Sequence, residues 1–162
     1  MSIQTTKTME AASEWCLGAV EGTLGGAETI LLVEDEAFVR EVTCEVLRAV
    51  GYRVLTAKNA AEAVWVYDAY RREVKLLLTD VVLPGETGRA LAVRLQGANP
   101  GLKVLLVTGY VSEMRLREGE AEECLAKPFS TEVLLRKVRQ LLDGSRFLMG
   151  TEDPLKHAGG SV

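Results

Sequence analysis

With a single histidine, four prolines and three cysteines in 162 residues, the chain has little material for several kinds of chemistry. The lone histidine, His157, lies near the C-terminal end, so neither a phosphohistidine nor a histidine-based catalytic role is expected of this chain. Cys16, Cys44 and Cys124 are odd in number and far apart, with no CxxC pair. They read as reduced thiols rather than as a disulfide frame or a zinc site, with Cys44 and Cys124 acting as small packing residues. No run of lysine or arginine is present and the net charge is −4, which weighs against direct binding of nucleic acid. No apolar run approaches the length that crosses a bilayer, and residues 1–14 are polar, without the apolar stretch of a secretory signal. No membrane association is therefore expected, and the location expected is cytoplasmic. What is present is ordinary and sufficient: 48% hydrophobic and 26% charged residues can bury the core of one domain with tails to spare.

Five apolar runs, at 29–33, 53–57, 75–79, 103–108 and about 123–126, alternate with segments of helical period. The first such segment carries Val39, Val42, Val46, Leu47 and Val50 and stops at Gly51. Asn59 reads as the N-cap of the next, which bears Ala63, Val64, Tyr67 and Tyr70. A third spans 88–96 and is closed by Gly97 and Pro100; a short one lies near 112–118 and ends at Gly119. Ser130 caps the last, with Val133, Leu134, Val138, Leu141 and Leu142 on its apolar side and Arg136, Lys137 and Arg139 expected to face water. Such alternation predicts an α/β fold, a doubly wound five-stranded parallel sheet with five helices. The expected division is a flexible N-terminal segment over 1–27, in which a short helix fits 11–20, a domain over 28–143, and a loose tail over 144–162.

The strand ends hold the chemistry. Glu34 and Asp35 follow the first run, Asp80 ends the third, Thr108 ends the fourth, and Lys127 follows the fifth just before Pro128. In open α/β folds ligands bind at the carboxyl edge of the sheet. Three carboxylates gathered there repel one another, and a divalent cation relieves the repulsion. Oxygen donors of this kind suit Mg²⁺, which is usually held by one or two carboxylates plus a phosphate. Mg²⁺ beside a lysine and a hydroxyl points to a phosphoryl group, and an aspartate can itself be the nucleophile that forms an acyl phosphate. Asp80, central and flanked by the others, is the candidate. Taken singly, each residue has a plainer reading: Asp80 as a helix cap, Glu34 and Asp35 as helix-start charges, Thr108 as a turn residue and Lys127 as a solvated one. Their occurrence together, at four strand ends in order, outweighs those readings. Gly85-Glu86-Thr87-Gly88-Arg89 lacks the spacing of a phosphate loop.

Glu-Asp after the first run, Asp-Val-Val-Leu-Pro-Gly-Glu-Thr-Gly from Asp80, Thr-Gly from Thr108 and Lys-Pro-Phe from Lys127 together resemble the receiver domain of two-component response regulators. The resemblance covers about 28–143. The wording Glu-Thr-Ile-Leu-Leu-Val-Glu-Asp-Glu, with Val-Thr-Gly-Tyr, is most similar to receivers at the C-terminal end of hybrid sensor histidine kinases. The resemblance implies a flavodoxin-like, receiver-type fold with Asp80 as phosphoacceptor. It implies Mg²⁺ bound by Asp35, Asp80 and the Val82 backbone carbonyl, with Glu34 acting directly or through water. Thr108 and Lys127 would contact the phosphoryl group, and the bond before Pro128 would be cis. The family carries an aromatic residue three positions before the lysine, which swings inward on phosphorylation. Here that position is Cys124, and Tyr110 supplies an aromatic at the site mouth instead. The stretch between Thr108 and Lys127 is short for the family, which implies an altered helix and loop there.

The function so implied is acceptance of a phosphoryl group from a histidine kinase or histidine phosphotransfer protein, with relay by conformational change to an unknown downstream protein. Such a chain catalyses only its own phosphorylation and hydrolysis, so it is not an enzyme with turnover, and it is expected as a monomer or weak homodimer. Nothing after Asp143 reads as an output domain. A phosphorylation-independent interaction domain of the same fold is the alternative. A flavin-binding protein of this fold needs a Ser/Thr/Gly phosphate loop where Glu34-Asp35-Glu36 stand.

Overall fold

In a computed structural model, which describes residues 24–109 and 123–144, the apolar runs are strands β1 (Thr29–Val33), β2 (Arg53–Ala57), β3 (Val74–Asp80), β4 (Lys103–Thr108) and β5 (Glu123–Ala126). The helical segments are α1 (Ala37–Ala49), α2 (Ala60–Tyr70), α3 (Gly88–Ala98) and α4 (Thr131–Asp143). The expected helix at 112–118, with Tyr110, lies outside the described residues, as do 1–23 and 145–162. All five strands are parallel, in the order β2-β1-β3-β4-β5. β3 extends one residue beyond the apolar run at each end, so Asp80 is itself the last strand residue.

Alternation along the strands builds two cores from one sheet. Ile30, Leu32, Leu76, Leu78, Leu105 and Val107 pack with Cys44 and Leu47 of α1 and with Leu134, Leu135 and Val138 of α4. Leu31, Val33, Leu77, Val104 and Leu106 pack with Ala63 and Tyr67 of α2 and with Leu91, Ala92 and Leu95 of α3. Because both faces are covered, the strands read as unbroken apolar runs. Three helices are capped by side chains: Asn59 Oδ1 accepts from the Glu62 amide at 2.8 Å, Thr87 Oγ1 from Ala90 at 3.2 Å, and Ser130 Oγ from Val133 at 3.3 Å. α1 has no side-chain cap.

The apolar stripes differ from the expected ones in detail. Val42 and Val133 are exposed, because the buried faces of α1 and α4 run through Cys44 and Leu47, and through Leu134, Leu135 and Val138. Arg139 does not face water. It lies four residues after the buried Leu135, on the same helical face, and its side chain is only 16% exposed. Its guanidinium donates to both Glu28 carboxylate oxygens at 2.7 and 3.2 Å, to the Gly25 carbonyl at 3.2 Å, to the Tyr52 hydroxyl at 3.1 Å and to Asp143 at 3.0 Å. The Tyr52 hydroxyl donates in turn to the Leu24 carbonyl at 3.2 Å, and the Gly26 amide to the Val50 carbonyl at 3.2 Å. Residues 24–26, within the segment expected to be flexible, and Glu28, the first residue of the expected domain, are thus tied to α4 and to the turn after α1.

The hydrogen bond from Arg139 holds the Glu28 carboxyl below its ordinary value of 4.5. A carboxyl with a lowered folded pKa contributes stability above its unfolded pKa and loses it as the pH falls through the folded one. Glu28→Gln is therefore expected to cost about 1 kcal/mol at pH 7, for one partly exposed charged hydrogen bond. Urea unfolding of both proteins checks this. The gap should close as the pH drops below 4.5; a gap of the same size at low pH contradicts the assignment.

Candidate functional site

From β1 the chain goes outward to β2, then crosses back to β3 on the other side of β1, so the carboxyl ends of β1 and β3 flank a topological switch point. Register brings the strand ends level. Val33 pairs with Thr79, Asp80 with Val107, and Thr108 with Ala126. The Glu34 amide carries the β1–β2 ladder one step further, donating to the Ala57 carbonyl at 3.1 Å. The Lys127 amide does the same between β5 and β4, donating to the Thr108 carbonyl at 2.8 Å. Glu34, Asp35, Asp80, Thr108 and Lys127 therefore share one edge. Thr108 is almost fully buried there, and the Lys127–Pro128 peptide is cis.

The side chains converge. Lys127 Nζ donates to Asp80 Oδ2 at 2.9 Å and to Glu34 Oε2 at 3.3 Å. The remaining oxygens of those carboxylates accept from backbone: Asp80 Oδ1 from the Val82 amide at 3.2 Å, and Glu34 Oε1 from the Glu36 amide at 3.1 Å. One carboxylate oxygen each from Glu34, Asp35 and Asp80 lies within 4.8 Å of the others. Burial pushes the Glu34 carboxyl above its ordinary range, against the pull of the Glu36 amide and the Lys127 charge, and the nearby Asp80 charge adds to the rise. For Lys127, burial pulls the ammonium down, but the hydrogen bond and charge of Asp80, together with Glu34, outweigh it and leave the group above its usual value. One ammonium among three carboxylates leaves a surplus of negative charge. An all-oxygen donor set carrying that surplus fits a hard divalent cation such as Mg²⁺.

Two further residues shape the edge. The Gly88 amide donates to the Val81 carbonyl at 2.9 Å, and a Cβ at Gly88 would run into the backbone carbonyl of Asp80. Only a residue without a side chain lets α3 start so close to the strand end. Arg40, on the first turns of α1, reaches back with Nη1 to the Glu34 carbonyl at 2.7 Å and the Asp35 carbonyl at 3.4 Å. No motif marks Arg40; its signal in the sequence is a cation five residues past Asp35 on the helix that the acid pair opens. Val82, expected to lend its carbonyl, is in the loop after β3 with its side chain exposed, and Phe38 is exposed on the first turn of α1. Cys124 sits opposite Leu106 on β5, half-buried against the core beneath α2 and α3. Among the described residues no helix is long and apolar enough to cross a membrane.

The response regulator receiver domain, as a sequence family, matches residues 30–139. The chain is 34% identical over 123 residues to the sensor kinase CckA of Brucella abortus, an alignment that covers 74% of this chain and 13% of the kinase. It is 32% identical over 117 residues to the response regulator receiver protein CpdR of the same organism, covering 70% of this chain and 95% of that one. The crystal structure of the response regulator TrrA of Thermotoga maritima, in complex with Mg²⁺-BeF, superposes with a TM-score of 0.64 at 31% identity, covering 71% of this chain and 99% of that one. The chain thus spans a small part of the full-length kinase and nearly all of the shorter receiver proteins.

Proposed function

Because this chain belongs to the response regulator receiver domain family, we propose that it accepts a phosphoryl group from a phosphohistidine onto Asp80 and signals by the change in conformation that follows. The observation that carries the reading is Lys127 Nζ, held at 2.9 Å on Asp80 Oδ2 inside the acid cluster. A carboxylate oxygen of Asp80 attacks phosphorus. The phosphorus–nitrogen bond to the donor breaks, and its electron pair stays on the donor imidazole, which takes up a proton. Lys127 is placed to follow the developing charge from the carboxylate to a phosphoryl oxygen, and the Thr108 hydroxyl to donate to another. Asp35, Asp80 and the Val82 carbonyl, with Glu34 directly or through water, would hold Mg²⁺, which when bound supplies charge neutralisation for the phosphoryl oxygens. Water later cleaves the acyl phosphate, so the chain acts on itself and has no substrate in the usual sense.

The donor is a histidine kinase or a histidine phosphotransfer protein in the cytoplasm, and exposed Phe38 and Val82 offer apolar contacts close in sequence to Asp35 and Asp80. The reading holds whether the chain acts within a sensor kinase or as a separate receiver. Cys124 in place of a swinging aromatic favours a second reading, an interaction domain that works without phosphorylation. Intact-mass measurement after incubation with acetyl phosphate decides between them. Gain of one phosphoryl group with Mg²⁺ and none with a chelator is expected. No gain, together with no Mg²⁺ binding, supports the interaction domain; no gain despite Mg²⁺ binding means that the donor must be a specific protein.

A further inference from the structure

Helix α1 starts without a side-chain cap, directly after the two acidic residues that the metal site requires. Two side chains, Glu34 and Arg40, hold the turn between β1 and α1. Glu34 Oε1 accepts from the Glu36 amide at 3.1 Å, which spends one carboxylate oxygen on the turn itself. Arg40 Nη1 donates to the carbonyls of Glu34, at 2.7 Å, and Asp35, at 3.4 Å. A guanidinium nitrogen carries two N–H groups in a fixed plane and keeps its charge at every relevant pH. One rigid donor thus fastens two consecutive peptide groups, and those peptide groups carry the side chains of the acid pair.

We propose that Arg40 is a positioning residue for the divalent-cation site: it clamps the Glu34 and Asp35 carbonyls and so sets the direction in which both carboxylates face Asp80. The inference rests on the receiver reading of the acid cluster. The hydrogen bonds of Arg40 go to backbone carbonyls of the turn, not to the carboxylates themselves. Residues that orient metal ligands through a second contact usually affect affinity strongly. A lysine at the same position keeps the charge but brings a single flexible ammonium in place of the planar fork, which separates orientation from charge.

The test is a calorimetric titration of the whole chain with Mg²⁺, for the wild type, Arg40→Ala and Arg40→Lys, beside urea unfolding of each. Arg40→Ala is expected to weaken Mg²⁺ binding roughly tenfold, with Arg40→Lys in between. Saturating Mg²⁺ should restore the phosphorylation rate of both with acetyl phosphate, and the Glu36 amide should exchange faster with deuterium in both. A purely structural arginine predicts lower stability with unchanged Mg²⁺ affinity, and that result overturns the proposal. So does wild-type affinity in Arg40→Lys, which leaves charge as the whole effect. Should Arg40→Ala fail to fold, Arg40→Lys decides alone. If the wild type itself binds no Mg²⁺, the receiver reading fails and this inference falls with it.

Discussion

Asp80→Asn is expected to abolish phosphoryl transfer from acetyl phosphate while leaving the fold in place. The amide is nearly isosteric with the carboxylate, and its oxygen can still accept from the Val82 amide, which lies 3.2 Å from Asp80 Oδ1. It is not a nucleophile toward phosphorus, so the gain in mass should fall from one phosphoryl group to none. The effect on stability is a balance. Lys127 loses its 2.9 Å partner but keeps Glu34 at 3.3 Å, and one of three mutually repelling charges is removed. Asp80 is one of the groups that raise the Glu34 carboxyl, so its loss relieves the most buried member of the cluster. These terms oppose each other, and a net change within about 1 kcal/mol is expected for a pair of this exposure. Intact mass, circular dichroism and urea unfolding on the same sample check all of this. Full labelling of Asp80→Asn overturns the assignment of the phosphoacceptor. Loss of labelling with loss of structure leaves the role of Asp80 to be read from the Mg²⁺ requirement of the wild type.

Each residue of the site ends or directly follows an apolar run, which is why it could be read from the sequence although Lys127 lies 47 residues from Asp80 and 93 from Glu34. Asp80 ends a run whose residues alternate between two buried faces, so the first polar side chain after it has to emerge at the sheet edge. The same reasoning places Glu34, Thr108 and Lys127. Parallel topology then makes all these edges one edge. Arg139 resisted such reading because its partners Tyr52 and Glu28 are 87 and 111 residues away, and no local period reports a contact of that separation. Its helix phase did hold a clue: Leu135, four residues earlier, is buried, so Arg139 had to lie on the flank of the packed stripe. Arg40 is a related case. A cation early in a helix looks like a solvated charge until the Glu34 and Asp35 carbonyls of the turn before it are seen to accept from it. In α2 helical spacing marked Ala63 and Tyr67, which are buried against the sheet, but also Tyr70, which is exposed at the end of the helix.

The closest approach in the site leads to the second large effect. Gly88 opens α3 against the end of β3, where an added Cβ would overlap the Asp80 carbonyl and crowd Thr79 Oγ1 at 3.1 Å. The carbonyl is backbone of a central strand, paired on its far side through Val107, and cannot swing aside as a long side chain can. Gly88→Ala must move either the helix start or the strand end. Overpacking of this kind costs about 1–3 kcal/mol, less the 0.5–1 kcal/mol that alanine gains over glycine within a helix. A net loss of roughly 1–2 kcal/mol is expected in urea unfolding. Because the atom displaced belongs to the proposed phosphoacceptor, the loss should extend to chemistry: a shift of about 1 Å in a reacting group can lower a rate on the order of a hundredfold, so labelling by acetyl phosphate should slow far more than the stability change alone explains. Gly97→Ala is the control. It lies in the same helix with nothing within 4 Å of an added Cβ, so it should raise stability by about 0.5 kcal/mol through helix propensity and leave labelling unchanged. If Gly88→Ala behaves like Gly97→Ala, the contact between α3 and the strand end does not constrain Asp80. If the two separate in both stability and labelling rate, the glycine that opens α3 is part of what positions the nucleophile.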